Sequence, residues 1–261
     1  LYSLDWATTT RITHPWLIWL LPFAGFTVGW LYLRFGRSVE GGNNLILEEV
    51  HRPANTIPLR MAPLVYIGTV VSHLFGASVG REGTAVQMGA SIADQFTSLL
   101  KLNNDARRMV LMAGVSAGFS SVFGTPLAGA IFGLEVMAIG RMHYTAIFPC
   151  LLAAVVADQV GLMWGVHHTH YAMSLIPPLS LWTLGAVMAA GCCFGLAARV
   201  FADATHLIGG VMKKYVAYAP LRPFIGGVIV ALAVYLLQGE RYIDLGIPVI
   251  VDAFQHPLAP W

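Results

Sequence analysis

Residues 80–84, GREGT, set a guanidinium and a carboxylate side by side, Arg81 and Glu82, between Gly80 and Gly83, with apolar runs on both sides. The run that follows, 84–100, reads as a helix, so Glu82 stands at a helix mouth. The first-turn N–H groups of a helix are unpaired and carry partial positive charge. Glycine lets such groups approach a ligand with no Cβ in the way, and such mouths bind anions. Ionised, Glu82 could fill the anion position itself; protonated, it would let go, and a mobile anion could replace it. One residue would then be both gate and proton carrier. The alternative is a capping carboxylate paired with Arg81, and the stretch alone leaves both open.

A second stretch, GGNNL at 41–45, precedes a short helical run, 43–51. Asn43 and Asn44 bring amide donors without net charge, which suits a dehydrated anion that must later leave. The alternative is an N-cap and turn pair, for which Asn is well fitted. A third, residues 114–136, carries an FGTP turn between two apolar runs. Pro126 fits a first helical turn, where its missing N–H costs nothing. Glu135 lies in an apolar context, where a carboxylate is a functional hypothesis by default; the structural role, neutral or satisfying backbone N–H groups of a broken helix, is favoured. His167, His168 and His170 form a cluster that lacks a second ligand group nearby in sequence, so no metal is expected. Asp158 is read as facing a polar cavity or a segment end. Asp94 and Gln95 are read as facing a polar surface or neighbour.

The elements that position these residues belong to a membrane protein. The chain of 261 residues is 57% hydrophobic and 11% charged, with net charge +2 and a mean hydropathy of +0.68. A soluble domain carries about 25% charged residues. The apolar runs are long and do not alternate, which excludes a β-barrel; in lipid the remaining choice is helices. Runs are expected at 16–35, 61–79, 84–100, 106–122, 126–140, 144–165, 178–202 and 221–237, with a short return element at 243–252. Residues 103–105 offer a cap for the run at 106–122. Several runs fall short of the roughly 20 residues that cross a bilayer, and Gly and Pro punctuate them, as in broken helices that build ion sites; the alternative is ordinary kinking, which membrane helices tolerate. Glycine pairs four apart, at 25/29, 114/118, 129/133 and 191/195, allow close helix contact. Arg34, Arg37, Arg52 and Arg60 mark their side as cytoplasmic. Cys150, Cys192 and Cys193 read as small packing residues. No nucleophile–base pair, cofactor motif or basic stripe appears, so an enzyme and a nucleic-acid partner are not expected. No cleavable signal peptide is visible, and the chain opens on Leu1 without methionine.

GREGTAVQMGASIADQF, followed by LNNDARRMVLMAGVSAGFSSVFGTPLAGAIFGLEV, resembles the CLC family of chloride channels and anion/proton antiporters. GREG is similar to the family's GREGP signature, with Thr84 where proline is usual. GNNLI, 42–46, is similar to its GSGIP signature: Asn43 falls at the chloride-coordinating serine, and Asn44, Leu45 and Ile46 at the next three positions. Together the two departures resemble the bacterial fluoride/proton antiporter branch. Glu82 then matches the gating glutamate. Glu135 matches the first of two successive glutamates of the chloride antiporters, and Val136 stands where the second, the internal proton-transfer residue, would be; the fluoride branch looks to work without it.

The resemblance implies an all-α CLC-type bundle of tilted and broken helices with inverted repeats, most of the first in 1–165 and the start of the second in 175–261. It implies proton-coupled fluoride export by a multi-pass homodimer in the inner membrane lipid bilayer, with no cofactor. Glu82 would be gate and proton carrier, and Asn43, Asn44, Gly80, Arg81, Gly83 and Thr84 would bind the anion. Pro126, Glu135 and Val136 are structural or secondary. The alternatives are a chloride or broad-anion channel of the same fold and a non-transporting partial subunit. The family's later G-x-F-x-P stretch and pore tyrosine do not occur in these residues, so a fragment or truncated product with half the anion site is expected.

Overall fold

A computed structural model describes residues 1–136, 144–168 and 178–255. Among them every regular element is helical: α1 (Tyr2–Thr13), α2 (Leu21–Phe35, preceded by a 3-10 segment, Pro15–Leu20), α3 (Asn43–His51), α4 (Met61–Leu74), α5 (Glu82–Leu99), α6 (Asn104–Phe123), α7 (Pro126–Val136), α8 (Ile147–Met163), α9 (Leu181–Tyr215), α10 (Leu221–Leu237) and α11 (Ile247–Gln255). Among the described residues three helices are long and apolar enough to cross a membrane, Pro15–Phe35, Tyr144–Met163 and Leu181–Tyr215.

Local chemistry sets several boundaries. Asn103 Oδ1 accepts the Ala106 N–H at 2.9 Å and so caps α6, as the polar triplet led us to expect. Gly124, at φ +65°, ends α6 in the left-handed region that glycine enters freely, and Pro126 opens α7 at once. The expected 61–79 run stops at Leu74, because the chain turns at Gly76, φ +85°. The expected 178–202 run continues to Tyr215, a helix of 35 residues capped by Ser180. Apolar patterning alone ended it too early, since Arg199 and Asp203, one turn apart at 3.8 Å, are accommodated on its exposed surface. The helix α1 was not foreseen, and 137–140 of the expected 126–140 run lies outside the described residues.

The core is built by α3 to α8, with Ile46, Met61, Leu111, Met112, Val115 and Cys150 at or near complete burial. Glycine makes the closest crossing possible. Gly89 of α5 lies against the backbone of Gly114, and Gly118 lies against the Ala85 carbonyl, with no room for a Cβ at any of these positions. Gly129 and Gly133 pack α7 onto α6, and Gly25 and Gly29 pack α2 onto Pro220 and Pro223 at the start of α10. The fourth pair departs from expectation: Gly191 and Gly195 have nothing within 4 Å, and α9, with Cys192 and Cys193, buries no residue.

Candidate functional site

The two helix mouths singled out in the sequence face each other. α3 begins at Asn43 with Gly42 as its N-cap at φ +55°, and α5 begins at Glu82 with Arg81 as its N-cap. Neither start is closed by a side-chain hydrogen bond. Asn43 is thus not a capping residue: it is the first residue of α3, and its amide crosses to α5, where Nδ2 stands 3.4 Å from the point a Cβ on Gly83 would occupy. From one turn further along α5, Gln87 returns the approach. Its Nε2 lies 3.3 Å from the corresponding point on Gly42 and 3.8 Å from that on Gly83. Two neutral amide nitrogens therefore converge between two uncapped mouths, and the glycines at 42 and 83 leave the space open. Gln87 was missed in the sequence, although its place four residues after Gly83 puts it on the same helix face.

Glu82 folds its carboxylate back against the chain. A Cβ on Gly80 would fall 2.5 Å from Glu82 Oε2, so glycine at 80 is what admits this rotamer. Among the described residues no ion pair joins Arg81 to Glu82; Arg81 Nε is buried without a hydrogen-bond partner. The Arg81 side chain lines cavities of about 670 and 430 Å³ instead.

Thr84 has another engagement. Its hydroxyl contacts the Thr69 hydroxyl, and Thr69 Oγ1 donates to Val65 O at 2.8 Å. Both contacts are satisfied when Thr84 donates to Thr69, which leaves Thr84 only lone pairs to offer. Its geometry is that of a tie between α4 and α5. Thr69, Thr84 and Gln87, with Tyr32 and Ser72, line a cavity of about 170 Å³ beside the mouths. Asn44 is exposed on α3, Glu135 is exposed near the end of α7, and Val136 closes that helix.

Behind the mouths lies a buried charge cluster. Asp94 is fully buried and, of the polar surface or neighbour expected for it, has the neighbour; Glu49 is 5% exposed. Arg107 joins them: Nε donates to Asp94 Oδ1 at 2.7 Å, one terminal nitrogen to Asp94 Oδ2 at 2.8 Å, and the other to Glu49 Oε2 at 3.1 Å. The loop between α3 and α4 completes the shell, with Ile57 N–H on Asp94 at 2.7 Å and Ala54 N–H on Glu49 at 2.9 Å. Gln95 donates to Ile57 O at 2.8 Å. This cluster fixes α3 to α5 and α6, and so holds Asn43 opposite Gly83. Asp158 is buried within α8 at 7% exposure. His168 packs against Gly124 of the FGTP turn, and His170 lies outside the described residues. Among the described residues no three His, Cys, Asp or Glu side chains gather as a metal would require.

A family profile described as voltage gated chloride channel matches residues 24–261. The chain belongs to this CLC family. Its members among the relatives are membrane channels and transporters. A chloride/fluoride channel protein of Pseudomonas syringae pv. tomato is 60% identical over 267 aligned positions, covering all of this chain and 59% of the relative. An H(+)/Cl(-) exchange transporter ClcA of Cronobacter sakazakii is 32% identical over 162 residues, 56% of this chain and 34% of the relative. The crystal structure of a CLC-type fluoride/proton antiporter superposes with a TM-score of 0.92 at 32% identity, over 99% of this chain and 66% of that one. A slow cyanobacterial Cl-/H+ antiporter shares the fold, with a TM-score of 0.80 at 22% identity. The CLC chain thus spans about three-fifths of the length of the first of these relatives, 59%. The CLC fold expected from sequence is the one observed.

Proposed function

We propose that the protein to which this CLC chain belongs exports fluoride in exchange for inward protons, with Glu82 as gate and proton carrier. The observation that carries the reading is the facing pair of uncapped mouths, with the neutral amides of Asn43 and Gln87 between them and the Glu82 carboxylate beside them. Fluoride is small and strongly hydrated, so removing its water calls for close N–H donors, while a fixed cation in contact would hold it too long. The names of two relatives support the substrate: a chloride/fluoride channel protein at 60% identity and a fluoride/proton antiporter at 32%.

In this mechanism ionised Glu82 occupies the space between the mouths. Arriving fluoride displaces it, Glu82 takes a proton on the other side, and the neutral side chain carries that proton back as the anion leaves. Gly80 and Gly83 give the side chain its freedom, and Asn43 and Gln87 hold the anion. Val136, standing where a second proton-transfer glutamate would be in a chloride antiporter, fits a path that does not use one. Residues 1–165 form most of the first repeat and 175–261 the opening of the second, in a homodimer of the inner membrane.

Proteoliposomes holding the complete protein test this. Fluoride efflux should drive proton uptake, and Glu82→Gln should abolish the coupling. Coupling that survives in Glu82→Gln removes the gate assignment. Equal fluoride and chloride flux would favour a broad-anion channel, the reading suggested by the word chloride in the name of the 60% identical relative.

A further inference from the structure

His73 ends α4 with no exposed surface. Its Nδ1 stands 2.8 Å from Thr69 O. A carbonyl oxygen only accepts, so Nδ1 carries a proton. The other ring nitrogen, Nε2, faces Asp244 Oδ1 at 3.2 Å, and neither atom has any other hydrogen-bond partner. Asp244 is engaged from the opposite edge: Oδ2 accepts from Thr8 Oγ1 at 2.6 Å and lies 3.6 Å from an Arg11 nitrogen. In a neutral ring with its proton on Nδ1, Nε2 would present a lone pair to a carboxylate oxygen in a site closed to water. A proton on Nε2 turns that repulsion into a charge-assisted contact.

The backbone points the same way. Asp244 adopts φ +66°, in the left-handed region that residues other than glycine enter less readily. The side-chain contacts to α1 and α4 are what hold it there. Asp5 and Arg11 of α1, Glu240 within the 239–246 turn, and Arg81 before α5 line the same cavity of about 670 Å³. Glu82 is folded on Gly80, Asp94 is committed to Arg107, and Arg34 of α2 lies at the far end of α4, since Gly76 meets Ile18 whereas Gly68 meets Val28 and Tyr32. Asp244 is thus the partner that answers His73.

We infer that His73 and Asp244 hold one buried proton, and that this proton latches the 239–246 turn onto α1 and α4 beside the cavity that Arg81 lines. On deprotonation the proton passes to water, Nε2 and Oδ1 repel, and the turn is released. The site would make closure of this cavity depend on pH without any change at Glu82, and it stands apart from the transport reading.

Hydrogen exchange on the complete protein in lipid nanodiscs tests it, with rates corrected for the intrinsic pH dependence. As pH rises from mildly acidic to mildly alkaline, amides of 239–246 should lose protection by at least about tenfold, as expected when a buried ion pair is broken. His73→Gln keeps a neutral N–H donor near the Nε2 position and should remove the pH response. A wild-type turn whose protection does not fall with pH overturns the proposal, as does a His73→Gln protein with the wild-type pH response. The wild-type measurement decides even where the variant does not fold, and loss of fluoride transport moves neither result.

Discussion

Replacing Arg107 with methionine tests whether the buried cluster is the brace of the facing helix starts. The change removes the guanidinium and keeps most of the apolar stem. Asp94 would lose two hydrogen bonds, at 2.7 and 2.8 Å, and Glu49 one, at 3.1 Å. Both carboxylates would stay buried, Asp94 at 0% and Glu49 at 5% exposure. Asp94 would retain the Ile57 N–H and the Thr97 hydroxyl, and Glu49 the Ala54 and Asn55 N–H groups, which solvate but do not neutralise. Removing one partner of a buried ion pair costs about 3–5 kcal/mol. Two anions are stranded here, so the upper end applies. A domain of roughly this size loses about 2–4 °C of melting temperature per kcal/mol, so a fall of roughly 10–20 °C is expected. Thermal unfolding in mild detergent, followed by loss of the monodisperse peak in size exclusion, measures it. Arg107→Lys should fall between, because it keeps the charge and loses the planar fork. A melting temperature for Arg107→Met within about 2 °C of wild type would refute the reasoning.

Gly118→Ala forces a Cβ into the Ala85 carbonyl; overpacking of this kind costs about 1–3 kcal/mol, so the same thermal assay should show a clear loss. Asn43→Ala and Gln87→Ala each remove one N–H donor facing the mouths; a hydrogen bond to a charged group is worth about 1.5–3 kcal/mol, so fluoride binding by isothermal calorimetry should weaken by roughly tenfold or more in each. Gly80→Ala places a Cβ 2.5 Å from where Glu82 Oε2 now lies; the carboxylate should be displaced, and fluoride leak from proteoliposomes should rise at unchanged protein stability.

The helix mouths were legible in the sequence because each depends on local chemistry: glycine beside a polar residue, then an apolar run. The turn at 124–126 was legible for the same reason. What the sequence left out was pairing across distance. Nothing in Asp94 announces a partner thirteen positions on, at Arg107, or a third at Glu49; its burial follows from how α5 lies on α6, which the glycines at 89, 114 and 118 determine. Thr84 was read from its place in a motif, but its proton is claimed by Thr69, a residue on another helix. The type of Asn43 fits a cap and a ligand equally; only the crossing of its amide to Gly83, a contact between two helices, separates them. The length of α9 was underestimated because hydropathy falls before the helix ends.

The two uncapped helix starts carry a kinetic consequence. A side-chain cap of the kind that Asn103 gives α6 and Ser180 gives α9 is worth about 1 kcal/mol. α3 and α5 have none, so under the transport reading an anion between them serves both, and its loss gives up hydrogen bonds at two helix starts at once. Vacancy is then the state of highest energy in the cycle. Under the transport reading, the outgoing occupant cannot leave first and be replaced later; the newcomer must push it out. Turnover should accordingly rise with the concentration of the entering anion, as in an associative substitution, and should not level off at a fixed rate of spontaneous departure.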